Sequence, residues 1–371
     1  MQAQDISALA QQVLWAAFAL SVVFGAIVQR SHFCTMGAVS DVITMGDWTR
    51  MRQWGMAAGV AMIGFAALAF FGQINPAQTL YFSTRWLWLS ALLGGLMFGF
   101  GMVLSSGCGS KSLARLGAGN LKSLVVLLVM GIAGFATLKG ITAVARIVSV
   151  DRVAMEHASG ATLPALLASA TGISAPSLAL GLALLIGGAL VLWGLQSREF
   201  RQGSNLLAGF GIGGVVVAMW WVSGHMGFVS EHPETLQEAY LSTNSGRAEA
   251  LSFVAPVSYA LDWLMFFSDK NKVLTVGIVS VVGTILGSTL SALLSGSFRW
   301  EGFANVEDLT NHLVGALLMG VGGVTALGCT VGQGLSGIST LSLTSIVAVA
   351  AIIAGAVAAL RYQSWRLESM G

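Results

Sequence analysis

Shifted by 221 positions the sequence matches itself, because Cys108 falls on Cys329, each in a Gly-Cys corner just after a long apolar run. The same shift pairs Ser31 with Ser252, Asp41 with Asp262, Gly94 with Gly315, Gly99 with Gly320, Gly101 with Gly322, Gly107 with Gly328 and Gly134 with Gly355. A single offset held over about 100 residues describes two copies of one unit with a thiol at each turning point. In membrane proteins built this way, substrate sites lie where the copies meet.

The repeat is a membrane repeat. Only 9% of the 371 residues are charged and 55% are hydrophobic, against about 25% charged in soluble domains. A net charge of +2, thinly spread, excludes a nucleic-acid binder. Apolar runs of bilayer length, roughly 17–25 residues, fall near 8–29, 50–72, 86–106, 121–144, 174–195, 204–223, 272–294, 311–327 and 342–361. The first of these has no Lys or Arg before it and reads as a retained helix rather than a cleaved signal. Four further stretches, 31–45, 107–119, 250–267 and 328–340, are too apolar for solvated loops and too short or Gly-rich to cross. They read as re-entrant half-helices, tolerated at membrane depth only where protein or a cavity covers the backbone.

The expected fold is therefore an all-α integral membrane protein of about nine transmembrane helices with re-entrant half-helices and an inverted-topology repeat. Inversion follows because the shift maps the second span onto the seventh, an odd step. A first membrane repeat over 1–145, a linker over 146–173 and a second repeat over 174–371 form one membrane domain. Eleven Lys and Arg gather on one face and seven on the other, which puts the C-terminus in the cytoplasm. The hydrophilic stretch 230–249, with Glu231, His232, Glu238 and Glu249, then faces outward as a connector or a mouth.

Candidate chemistry concentrates at the corners. In Gly107-Cys108-Gly109-Ser110-Lys111 and in Gly328-Cys329-Thr330-Val331-Gly332-Gln333, glycines permit a reversal and a half-helix can begin. The free N–H groups and positive dipole end of such a helix favour an anion. A thiol beside them is polarizable and donates weakly, which suits a soft sulfur atom better than a hard oxygen. Lys111 and Arg115, at i and i+4, are placed to draw an anion toward the cytoplasmic side. Cys34, in Arg30-Ser31-His32-Phe33-Cys34, has Ala255 as its repeat partner and reads as a peripheral way-station. The competing reading of each thiol is a small buried hydrophobe, and of Gly99, Gly101, Gly320, Gly322 and Gly323 close helix packing. Asp41 and Asp262 are candidates as repeated membrane acids, with Arg50 or Arg52 as local partners for Asp41. His32, His225 and His312 read as hydrogen-bonded packing residues or proton carriers. The cysteines are too far apart for a metal or redox pair, and no cofactor is expected.

These residues resemble a known family. Arg30-Ser31-x-Phe33-Cys34, Gly107-Cys108 followed by Leu116-Gly-Ala-Gly-Asn-Leu-Lys-Ser123, Thr243-Asn-Ser-Gly-Arg247, and Gly328-Cys329 followed by Gly332-Gln-Gly-Leu-Ser-Gly337 look like the YeeE/YedE family of bacterial inner-membrane proteins. The resemblance implies thiosulfate uptake across the inner membrane, with the ion handed along by S–H···S contacts. It also implies a small cytoplasmic sulfur carrier of the TusA type as partner. The expected substrate-binding set is Cys34, Cys108, Cys329, Gly107, Gly109, Gly328, Thr330, Lys111, Arg115 and Gln333. Another sulfur or selenium species is the alternative cargo. A membrane sulfurtransferase taking a persulfide on Cys108, with Lys111 lowering its pKa, is the alternative class.

Overall fold

The computed structural model describes residues 3–233 and 235–370, so Glu234 of the hydrophilic stretch lies outside the described residues. The chain opens with α1 (Ala3–Ser31), breaks at His32, and resumes as α2 (Thr35–Thr44) and α3 (Thr49–Phe70). Next come α4 (Trp88–Leu104), the short α5 (Gly109–Gly117) and α6 (Leu121–Lys139). Two small helices, α7 (Ile141–Val148) and α8 (Leu163–Thr171), lead to the second half. There α9 (Ala175–Leu182) runs through a π turn into α10 (Gly188–Gln196), and α11 (Gly203–Leu206) likewise into α12 (Ile212–Trp221). The last elements are α13 (Val254–Met265), α14 (Val276–Leu294), α15 (Val306–Thr325), a short helix over 330–339 and α16 (Leu343–Met370). Two antiparallel pairs of two-residue strands, Arg85–Trp86 with Met155–Glu156 and Phe228–Val229 with Ala239–Tyr240, tie connectors together on one face.

Eight helical stretches among the described residues are long and apolar enough to cross a membrane. The ninth expected span is α15, whose first turns carry Glu307, Asp308, Asn311 and His312 and so dilute its hydropathy. It nonetheless packs between α4 and α6 in the middle of the molecule. The expected span 121–144 is shorter than the sequence suggests, because the backbone turns at Gly140 and α7 starts afresh.

The shift of 221 carries α2 onto α13, α3 onto α14, α4 onto α15, α5 onto 330–339 and α6 onto the first part of α16. At the centre, a Cβ placed on Gly101 would lie 2.6 Å from the Gly315 carbonyl oxygen, and one on Gly322 would lie 2.6 Å from that of Gly94. Since 94 rises to 101 as 322 falls to 315, α4 and α15 are antiparallel. Under the shift each contact is the image of the other, so the copies are inverted about a pseudo-two-fold axis through these glycines. Here the packing reading of Gly101 and Gly322 holds: absent side chains let the backbones touch.

The four short stretches are indeed half-helices. Gly109 packs on Met130 and Phe253, near the middle of α6, while Asn120 at the far end of the corner segment reaches Glu301 on one face. α5 thus descends from mid-membrane to that face. The helix 330–339 rises from the same depth to the opposite face, where Ser342 bridges to Thr162. Lys122–Asp308 and Arg366–Glu307 ion pairs gather the end of α16, the start of α15 and the start of α6 on one side.

Substituting Gly322→Ala is expected to lower the thermal unfolding midpoint in detergent, at a cost of about 1–3 kcal/mol for overpacking. Gly188→Ala, which meets nothing within 4 Å, is expected to leave the midpoint unchanged. Unfolding followed with a thiol-reactive dye checks both.

Candidate functional site

Each corner begins where a spanning helix stops. α4 ends with Ser106 N–H bonded to Val103 O at 3.0 Å and Gly107 N–H to Met102 O at 2.8 Å; α15 ends with Leu327 N–H to Val324 O at 3.0 Å and Gly328 N–H to Gly323 O at 2.8 Å. This is the same paired-bond helix stop in both copies. The left-handed residues are Ser106 (φ 55°) and Leu327 (φ 59°), not the expected glycines. The glycines take the next position, where Gly107 lies against the Lys111 stem and Gly328, at φ 157°, against Gln333.

Two residues after the left-handed turn in each copy, a cysteine takes the position just before a half-helix. Cys34 precedes α2 and its sulfur accepts the Gly37 N–H at 3.4 Å; Cys329 precedes 330–339 and accepts the Gly332 N–H at 3.4 Å. Cys108 stands at the N-cap position of α5 without a side-chain cap bond, its thiol 3.3 Å from the Ser110 hydroxyl. The fourth half-helix, α13, follows Phe253, which offers no side-chain cap. Capping is the work of Ser, Thr, Asp or Asn in most helices, whose oxygens accept an orphan N–H. A sulfur in that place does the same more weakly and remains available to a second partner.

The three corners converge. The Cys34 thiol faces that of Cys108, and Cys108 also faces the Thr330 hydroxyl. Thr330 is 2% exposed, and its Oγ1 makes no conventional hydrogen bond. Cys329 lies within electrostatic range of Cys108. All three cysteines are free and buried. Four helix N-termini, those of α2, α5, α13 and 330–339, therefore gather around one sulfur-rich point at mid-membrane.

The remaining expected residues divide. Gly109 begins α5 beside Cys108, and Lys111 is buried in the next turn, within electrostatic range of Cys34 and Cys108. Arg115 instead donates to the Ser106 carbonyl at 2.7 Å, holding the corner. Gln333 is engaged at both ends of its amide, donating to Ala326 O at 2.6 Å and accepting from Ser345. Asp41 pairs with Arg50 at 3.1 Å and Asp262 with Lys272, both at the ends of half-helices away from the centre. His312 is bound to Asp308, and His225 faces the Gln73 carbonyl, while His32 occupies the left-handed break between α1 and α2.

A cavity of about 300 Å³ opens on the face that carries Arg85, Arg146 and Asn244 and narrows toward Gly328, Gln333 and Ser252. It reaches the corner that carries Cys329 without exposing a thiol. Tyr81 stands at its floor, against Gly332 and beside Cys329. Trp220, fully buried, meets Tyr81 edge-on with ring centroids 6.1 Å apart and donates to Ser339, which anchors the half-helix from behind. Glu249 lines the cavity too, and burial pushes its carboxyl up to about 7. The place of Tyr81 and Glu249 on this cavity is not visible in the sequence, where one sits in a connector and the other closes a hydrophilic stretch. Their common signal is a position just before a corner-bearing segment.

A protein-family model described as sulphur transport matches residues 30–358. The chain is 27% identical over 356 residues to the thiosulfate transporter TsuA of Spirochaeta thermophila, covering 92% of this chain and 97% of that protein. It is 24% identical over 316 residues to the thiosulfate transporter TsuA of Escherichia coli, covering 84% and 83%. A shorter match, 29% over 103 residues, covers 28% of this chain and 24% of the probable transporter YedE of Escherichia coli.

With every thiol buried, a bulky maleimide is expected to add to none of the three cysteines of the folded protein within minutes and to all three after denaturation, read by intact mass. An adduct on the native protein would contradict the sealed centre.

Proposed function

The chain belongs to the sulphur-transport family, so it is a multi-pass membrane transporter rather than an enzyme, and on that premise we propose that it carries thiosulfate through the point where the four half-helices meet. The observation that carries this reading is the unpartnered Thr330 hydroxyl beside Cys108, within a ring of helix N-termini. Moving a single charge out of water into a low-dielectric interior costs on the order of 20 kcal/mol in the ideal limit. A dianion therefore needs its lost hydration replaced group by group. Each helix N-terminus carries about half a positive charge, so four of them roughly match a charge of −2, and the buried Lys111 ammonium lies within electrostatic range of the Cys34 and Cys108 thiols.

The two ends of thiosulfate call for different partners. Its three sulfonate oxygens are acceptors, suited to the first-turn N–H groups of the half-helices and to the Thr330 hydroxyl. Its outer sulfur is soft and polarizable, suited to a thiol. Cys108 is central in this scheme because it faces both Cys34 and the Thr330 corner. Cys329 serves the approach from the Arg85 and Arg146 face and Cys34 the departure, with Lys111 drawing the ion onward. Backbone at Gly107, Gly109 and Gly328 shapes the passage, while Arg115 and Gln333 hold its corners in place.

The bacterial inner membrane, a cytoplasmic C-terminus and a TusA-type sulfur carrier receiving the ion complete the reading. The gathering of the α16 end with Lys122 and Arg366 on one face supports that orientation. The persulfide route is less favoured, because the groups that Cys108 faces are a thiol and hydroxyls rather than a base that would take its proton.

A bacterium lacking sulfate uptake and supplied with thiosulfate as sole sulfur source is expected to grow when it expresses this protein. With Cys108→Ala at matched membrane level growth is expected to stop, and with Thr330→Val to slow several-fold. Equal growth of Cys108→Ala and wild type would remove the thiol from the mechanism; growth of neither would point to another sulfur or selenium cargo.

A further inference from the structure

An acid on the wall of an anion's path is a conflict that the scheme above does not use. Glu249 is 8% exposed and lines the outer cavity. Its Oε1 accepts the Asn244 N–H at 3.3 Å and its Oε2 the Ser245 hydroxyl at 3.0 Å. Its backbone is pinned too, the N–H donating to Ser223 Oγ at 3.1 Å. Among the described residues no Lys or Arg stands within ion-pair distance of it.

The groups that face it are few. Tyr81 from the connector before α4 and Tyr259 from α13 are in electrostatic contact with the carboxyl. Arg85 lines the same cavity, as does Arg146, which is paired with Asp151. Arg247, two residues earlier, turns to the Phe82 carbonyl, and His225, on the helix end that carries Ser223, turns to Gln73. Tyr81 is also in contact with Cys329. Glu249 is thus one side chain away from the thiol nearest the cavity.

An ionised Glu249 would repel a dianion across a wall of low dielectric, where charge interactions are poorly screened. A neutral one would not. We propose that Glu249 is the proton-binding residue of this transporter, holding a proton whenever the anion occupies the outer cavity, so that each anion binds together with one proton. The inference rests on the thiosulfate reading above and adds the ion that accompanies it. Burial raises the carboxyl to about 7 against the hydrogen bonds from Asn244 and Ser245 that favour its charged form. Its neutral form is therefore populated below about pH 7 and lost above it. Anion affinity should be full on the acid side and fall roughly tenfold per pH unit once the carboxyl is mostly ionised, because only the protonated fraction binds. One proton with one dianion also halves the charge moved against an inside-negative potential.

Calorimetric titration of the detergent-solubilised full chain with thiosulfate tests this, at pH values from about 6.5 to 8.5 and in buffers of different ionisation enthalpy. Thiosulfate itself stays a dianion over that range. The wild type is expected to lose affinity with rising pH and to take up close to one proton per anion near pH 8. Glu249→Gln is expected to bind with a flat pH profile and no proton uptake. Ser245→Ala, which keeps the carboxyl but removes one bond to its charged form, is expected to move the transition to higher pH. A flat wild-type profile, or a Glu249→Gln profile that keeps both the slope and the proton, overturns the proposal. Absence of thiosulfate binding by folded wild type at every pH overturns the substrate reading instead, and this inference falls with it.

Discussion

A helix that starts in the middle of a membrane leaves its first N–H groups without water and without a preceding turn to bond. Four such starts meet in this protein, and much of the structure answers the demand they create. Cys34 and Cys329 each bring a sulfur to an orphan N–H of their half-helix. Arg115 holds the corner before α5 by its Ser106 carbonyl, and Gln333 holds the corner before 330–339 by Ala326 O. What these contacts leave over, the unpaired first-turn N–H groups and the lone Thr330 hydroxyl, is a demand for an anion. On the proposed reading, the unmet need of the fold and the chemistry of a thiosulfate cargo are the same need.

That arrangement holds only if the two copies approach closely enough for the corners to touch. The glycines on α4 and α15 set this distance, since backbone meets backbone at Gly101 with Gly315 and at Gly94 with Gly322. Inversion then does the rest. Two half-helices pointing to opposite faces can both present their N-termini at one depth, which two parallel copies could not do. The asymmetries are local: Thr330 stands where the first copy has Gly109, Lys111 where the second has Gly332, and Cys34 where it has Ala255. They give the centre two different sides, with the Cys34 and Cys108 thiols toward one and Cys329 beside the tyrosine-floored cavity toward the other.

Much of this is legible in the sequence because membranes restrict backbone so strongly. Apolar stretches that are too short to cross, such as 107–119 and 328–340, have few other fates, and the shared offset exposes the repeat directly. Other features are hidden for specific reasons. Cys34 and Cys329 do not announce themselves as helix caps, since sulfur is not the usual capping atom. The left-handed turns fall on Ser106 and Leu327 rather than on the adjacent glycines, because the stop of α4 and α15 is set by its hydrogen bonds and not by residue type alone. α15 begins with acids that satisfy Lys122 and His312, so the apolar run at 311–327 shows the span but not its first turn. Glu249 belongs to a hydrophilic run, yet the exchange of bonds between Leu80, Gln78 and Ala248 folds the end of that run into the cavity wall.

The claim on which the account stands is that an intact thiosulfate ion passes a thiol-lined centre without leaving sulfur behind. The direct test is uptake into proteoliposomes of thiosulfate labelled separately on its outer and its sulfonate sulfur. The account predicts that both labels accumulate inside in equal amount, and that Cys108→Ala abolishes both together. Retention of the outer label on the protein with release of the sulfonate label as sulfite would contradict it.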